Sequence, residues 1–409
     1  MIASQPTACR SCGCIELQNV LSLGRTPLAN ALLTTHQLDE PEETYPLELV
    51  FCPRCSLVQI TETVPPEKLF RDYVYFSSFS DTMLRHAADL STSLIGSKHL
   101  DARSLVVEVA SNDGYLLQYY KRAGVPVLGI EPATNIAQVA EQRGVRTVCD
   151  FFSDDLAVQL ASEGYKADVI HAHNVLAHVP DLNGFARGLR QLLKPNGVIV
   201  IEVPYVKDMI DRCEFDTVYH EHLSYFSLKS LSALFTRNDL TIQNVERLPI
   251  HGGTLRIYAG HEKNQDESVV QLLRDEEQSG LTELNFYSDF AAKVARLRHD
   301  LITLLRELKS HDKRIAVYGA SAKGTTLLNY CGLGRETLDY VVDRSSVKQG
   351  LYTPGTHLKI YAPEKLLEDM PDYLLLLTWN FADEILEQQS DYRKRGGRFI
   401  VPVPQVRVV

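Results

Sequence analysis

Short continuous apolar runs alternate with helix-spaced stretches along most of this chain, and the whole pattern occurs twice. Residues 105–109 read as a buried parallel strand, 110–114 as a tight loop of small residues, and the stretch from Tyr115 as a helix. A second strand at 127–130 ends at Glu131. Further on, 167–176 reads as a fourth strand entering a loop, and 197–203 as a fifth. A helical stretch over about 81–98 precedes this series. A hairpin closes it, 240–250 then 254–260, with Gly252-Gly253 at the turn. Residues 266–308 have helical spacing, and Leu297, Leu301, Leu304, Leu305 and Leu308 make an apolar stripe expected to be core. Strand–loop–helix then recurs at 314–324. Apolar runs follow at 338–342, which leads to Asp343, and at 373–377, with a closing strand or tail at 398–409. Near the start, 44–51 alternates like a strand. The pattern predicts an α/β protein with two Rossmann-like units behind a small N-terminal module.

Composition narrows the class. A chain of 409 residues suggests two to three domains, and 44% hydrophobic with 23% charged residues excludes a mainly disordered or fibrous state. The net charge is −10 and no extended Lys/Arg run stands out, so nucleic acid is not an expected partner. Residues 1–10 lack a basic segment followed by an apolar one, and 373–379 is far too short to span a bilayer. The expectation is a soluble, cytoplasmic monomer with no membrane partner.

Eight cysteines are unusual for such a protein. Cys9, Cys12 and Cys14 sit in CRSCGC, Cys52 and Cys55 in FCPRC, and the other three are isolated. Two CxxC knuckles can deliver four thiolates to one tetrahedral ion, and a reducing compartment disfavours disulfides. Structural Zn2+ on Cys9, Cys12, Cys52 and Cys55 is expected, with Cys14 as an alternative to Cys12. Four thiolates leave no open coordination position, so the ion is assigned to folding.

The first Rossmann-like unit carries a candidate cofactor site. A loop before a helix, then an acid ending the next strand, suits a ribose, and alone it fits either NAD or S-adenosylmethionine. The loop reads E-V-A-S-N-D-G at 108–114, without the glycines that let a backbone approach a pyrophosphate. S-adenosylmethionine has no phosphate and is the better fit. Glu108, Ala110, Asn112 and Gly114 of the loop, with Glu131 and Asn174 at strand ends, are the cofactor candidates. Asp150 and Phe151 add a carboxylate and a stacking face for adenine.

These motifs give the sequence a family likeness. It resembles the sugar-nucleotide C-methyltransferases that act at C3 of 4-keto-deoxyhexoses, over essentially the whole chain. The likeness rests on YVYFSS at 73–78, EVASNDG at 108–114, NVLAHVP at 174–180 and YHEH at 219–222. It continues in HGGTLR at 251–256, YGASAKG at 318–324 and LTWN at 377–380. It implies three domains, set here at 1–70 (zinc module), 71–262 (methyltransferase) and 263–409 (helical linker and C-terminal Rossmann-like domain). It implies an NDP-4-keto-6-deoxyhexose as substrate, for a branched sugar of a polysaccharide or natural product. It also carries Tyr219, Glu221 and His222 to catalytic positions, with His222 as base, and nominates His178 as a partner of enolate or substrate. If 213–226 is helical, Tyr219 and His222 share a face; if extended, His220 and His222 do. Tyr73 or Tyr75 would orient the sugar, and His251 lies beside the hairpin turn as a substrate candidate.

In the second unit the loop is G-x-S-x-x-G with Lys323 inside it. Backbone amides at a helix N-terminus plus a lysine suit a diphosphate, so Ser321 and Lys323 are read as substrate-binding, with Asn380 lining the same crevice. The competing readings are an NAD(P) tenant for this unit, or O- or N-methylation of a related nucleotide sugar.

Overall fold

The computed structural model describes residues 8–70, 77–79 and 81–409. Tyr73 and Tyr75, expected near the sugar, lie outside the described residues, and so does the side chain of His251.

The N-terminal module contributes β1 (Gln18–Thr26), β2 (Tyr45–Phe51) and β3 (Val58–Ile60), paired antiparallel in that order. The middle unit contributes β4 (Val106–Val109), β5 (Val127–Ile130), β6 (Thr147–Val148), β7 (Ala167–His173) and β8 (Leu193–Pro204). After it come a two-residue strand β9 (Ser224–Tyr225), then β10 (Thr241–Leu248) and β11 (Thr254–Gly260). Its seven-stranded sheet has the order β10-β11-β8-β7-β4-β5-β6. The five strands from β4 to β8 are parallel, and β11 runs antiparallel to β8. β9 is not part of that sheet. It pairs with β3, as Val58 opposite Tyr225 and Gln59 opposite Ser224, and so becomes the fourth strand of the N-terminal sheet.

The helical stretch expected over 266–308 is two helices, Glu267–Gln278 and Leu284–Ser310. Leu297, Leu301 and Leu305 of the long helix are buried, so the stripe is core, and Tyr287 packs its ring 5.0 Å from Phe51 of the N-terminal module. The last unit holds β12 (Ile315–Tyr318), β13 (Val341–Val342), β14 (Ile360–Tyr361), β15 (Tyr373–Leu376), β16 (Arg398–Val401) and β17 (Arg407–Val408). Its order is β14-β13-β12-β15-β16-β17, parallel except for β17. One buried apolar cluster runs from Leu47 and Phe51 through Ile170 and Ile201 to Leu375 and Ile400, so all three units pack against one another. Among the described residues no helix is long and apolar enough to cross a membrane.

Candidate active site

The two cysteine knuckles are copies of one turn. Cys9 N–H donates to Cys14 O and Gly13 N–H to Cys9 O; likewise Cys52 N–H donates to Leu57 O and Ser56 N–H to Cys52 O. Gly13 (φ 69) and Ser56 (φ 58) take the left-handed position in each. Cys14 therefore occupies the place of Leu57, a buried packing position, and Cys12 matches Cys55. This resolves the open choice: the four sulfurs of Cys9, Cys12, Cys52 and Cys55 lie within 4.8 Å of one another, and Cys14 is not in the cluster. The contacts Cys9–Cys55 and Cys12–Cys52 are 3.5 Å each. A tetrahedral ion with Zn–S bonds of about 2.3 Å needs sulfurs about 3.8 Å apart, so the donor set fits Zn2+.

The loop after β4 is held in a demanding shape. Ala110 (φ 54) and Asn112 (φ 48) join Gly114 (φ 78) in the left-handed region, which side chains rarely enter. A Cβ on Gly114 would meet Val145 Cγ2 at 2.9 Å, so glycine is needed there twice over. Glu131, at the end of β5, fixes the loop: its carboxylate accepts Asn112 N–H and Ala133 N–H, both at 2.9 Å. Ala110, Asn112, Glu131, Phe151 and Asn174 all line one cavity of about 650 Å³.

Three cofactor candidates lie elsewhere. Asp150 is exposed and accepts a bond from Phe151 N–H, and it is not on the cavity wall. Gly114 and Glu108 do not line the cavity either. Glu108 alternates to the far face of the sheet, where burial and the charges of Glu131, Asp113 and Glu202 hold its carboxyl well above the usual range.

The same cavity reaches the segment 213–226, which is neither a helix nor an extended run. One 3-10 turn, Phe215–Thr217, is followed by a turn closed by His222 N–H to Tyr219 O at 2.9 Å. That turn brings Tyr219 and His222 together and sends His220 to the N-terminal module, where Nε2–H donates to Pro46 O at 3.1 Å. His222 Nδ1 lies 3.1 Å from Thr217 O, and a carbonyl only accepts, so Nδ1 carries the proton. Nε2 is then the acceptor of the Tyr219 O–H, at 2.9 Å. Burial, with the neighbouring His178 ring (centroids 4.9 Å apart), keeps the His222 pKa well below the ordinary histidine value. At neutral pH it is an unprotonated base.

By the same reasoning His178 Nδ1–H donates to Glu221 O at 2.6 Å, and burial pulls its pKa down to about 4. In this tautomer a neutral His178 presents the lone pair of Nε2. Glu221 does not line the cavity. Its carboxylate accepts Asn30 Nδ2–H at 2.6 Å, and burial raises its pKa to about 7. That bond ties the loop to the N-terminal module. Asn30 and Asp216 were both missed by the sequence reading; their partners are 191 and 163 positions away.

The C-terminal unit completes the wall with Ser321, Lys323 and Asn380. Ser321 caps the helix Ala322–Cys331 by accepting Gly324 N–H at 3.1 Å, and Gly319 (φ 98) passes so close to Thr378 that a Cβ would lie 2.6 Å from Cγ2. Lys323 Nζ rests 4.8 Å from the centre of the Trp379 ring.

Three family models match the chain in series: a zinc-binding domain at 9–70, a methyltransferase domain at 82–245 and a C-methyltransferase C-terminal domain at 249–404. Over 404 residues it is 36% identical to C-methyltransferase NovU of Streptomyces niveus, covering 98% of this chain and 96% of that protein. The chain belongs to the C-methyltransferase family. A Ubiquinone biosynthesis O-methyltransferase of Azorhizobium caulinodans matches only 30% of it, at 29% identity, covering 47% of that protein.

This C-methyltransferase uses S-adenosylmethionine, and its four-cysteine cluster is a zinc site. The cavity fits the cofactor: no G-x-G-x-x-G cradle is present, while Glu131, Asn112 and Phe151 face the space. Glu131→Ala removes the acceptor that fixes the loop, so S-adenosylmethionine should bind about tenfold or more weakly by calorimetry. Wild-type affinity in that variant would take Glu131 out of the cofactor site.

Proposed function

We propose that this C-methyltransferase methylates C3 of an NDP-4-keto-6-deoxyhexose by way of an enolate. The observation that carries the reading is a neutral His222 whose Nε2 is held as an acceptor on the wall of a cavity shared by all three units. Carbon becomes a nucleophile only after losing a proton, and C3 is acidic because it lies α to the C4 ketone. His222 takes that proton at Nε2, and the Thr217 carbonyl steadies the imidazolium through Nδ1–H. Tyr219 holds the ring's tautomer before the sugar arrives. Lys323, alone among the described cavity-lining residues in being Lys or Arg, holds the diphosphate together with the capped N-terminus of the helix Ala322–Cys331. Asn380 lines the same wall. S-adenosylmethionine supplies the electrophilic methyl when bound.

Incubation of the keto-sugar with enzyme in deuterium oxide, without methyl donor, should wash out the C3 proton, as read by mass spectrometry. An O- or N-methyltransferase has no reason to do so, and a retained C3 proton would overturn the enolate reading.

A further inference from the structure

Two buried acids beside Lys323 have no part in the chemistry above. Glu214 is 3% exposed and lines the cavity, yet its Oε1 has no hydrogen-bond partner among the described residues. Asp216 is fully buried. Its Oδ2 accepts Trp379 Nε1–H at 2.6 Å. An unanswered buried carboxyl oxygen is costly, and a native fold keeps one where a ligand supplies the missing donor. Gly252 also keeps this place open, since a Cβ there would lie 2.5 Å from Glu214 Oε2. The Trp379 indole ties the wall together, with Asp216 on its N–H and Lys323 over its face. Burial pushes the Glu214 pKa up to about 7, against the pull of Lys323, as expected of a carboxyl whose partner has yet to arrive.

We infer that Glu214 is a specificity-determining residue of this enzyme, accepting a hydrogen bond from an O–H or N–H of the nucleotide sugar whose diphosphate Lys323 holds. The inference rests on the nucleotide-sugar reading above. The donor belongs either to the hexose ring or to the ribose, and both present the same chemistry to a carboxylate. Asp216 acts through Trp379 as a positioning residue: it sets the indole on which Lys323 rests.

The test compares wild type with Glu214→Gln and Glu214→Ala. It measures steady-state kinetics with dTDP-4-keto-6-deoxyglucose and calorimetric binding of dTDP alone, with S-adenosylmethionine binding as the check on folding. Both variants should bind S-adenosylmethionine as wild type does. Their KM for the sugar nucleotide should rise about tenfold or more with kcat little changed. A parallel loss of dTDP affinity assigns the donor to the ribose, and a loss confined to the sugar nucleotide assigns it to the hexose. Variants that fold and keep wild-type KM and dTDP affinity overturn the inference alone. A wild-type enzyme that binds neither dTDP nor its sugar conjugate overturns the nucleotide-sugar reading, and this inference with it.

Discussion

Replacing His222 by alanine should lower methyl transfer by roughly 10²–10⁴-fold while S-adenosylmethionine binds as it does to wild type. The expectation follows from geometry. Nδ1 is committed to Thr217 O, so Nε2 is the ring's one basic atom. Tyr219→Phe removes the hydroxyl that holds Nε2 and spares the base, so its loss should be smaller. The two variants together separate the base from its partner. Unchanged turnover in His222→Ala would remove this histidine from the mechanism.

Loss of zinc should be as damaging, although the ion is far from the chemistry in kind. Cys52 and Cys55 flank the turn between β2 and β3, and β3 carries the only ladder that holds β9 among the described residues. Ile60 N–H also donates to Leu223 O at 3.0 Å, one residue from His222. Structural zinc sites in small modules contribute about 10–16 kcal/mol of apparent binding free energy, so the module is not expected to keep its shape without the ion. Chelation, or Cys55→Ser, should abolish turnover. Amide protection should vanish at Val58–Ile60 and at 223–225 while β4 and β7 stay protected. Protein shown by metal analysis to be zinc-free, yet active and protected at 223–225, would refute this coupling.

Much of this architecture was legible because parallel buried strands write themselves as local apolar runs. β5 is the run 127–130 as read, and β4 and β15 differ by a residue at one end. The cofactor loop was legible for a similar reason: chemistry and turn fall within seven residues. What escaped detection depends on pairs distant in sequence. Nothing in Ser224-Tyr225 marks a strand, because two residues have no period, and their partner lies more than 160 positions earlier. The bond from Asn30 to Glu221 and that from Trp379 to Asp216 likewise leave no local trace. The segment 213–226 was recognised by its density of polar side chains, but its shape was not, since a turn has neither helical nor strand spacing. Cys14 was ambiguous on spacing alone. The left-handed residue at the fourth place after each first cysteine is what decides it, and in the second knuckle a serine takes that place.

The segment that carries His222 is fastened from three directions. Asn30, Pro46 and Val58 hold it from the N-terminal module, Ala177 and Val206 from the middle unit, and Thr326 and Trp379 from the C-terminal unit. A ribosome delivers these anchors in order. The zinc knuckles and the methyl-donor site are complete long before Trp379 leaves the exit tunnel, so a growing chain can hold its metal and its cofactor while it has no finished base. Under the proposed mechanism the methyltransferase is thereby silent until its C-terminal unit has folded, and a chain cut short before Trp379 inherits that silence.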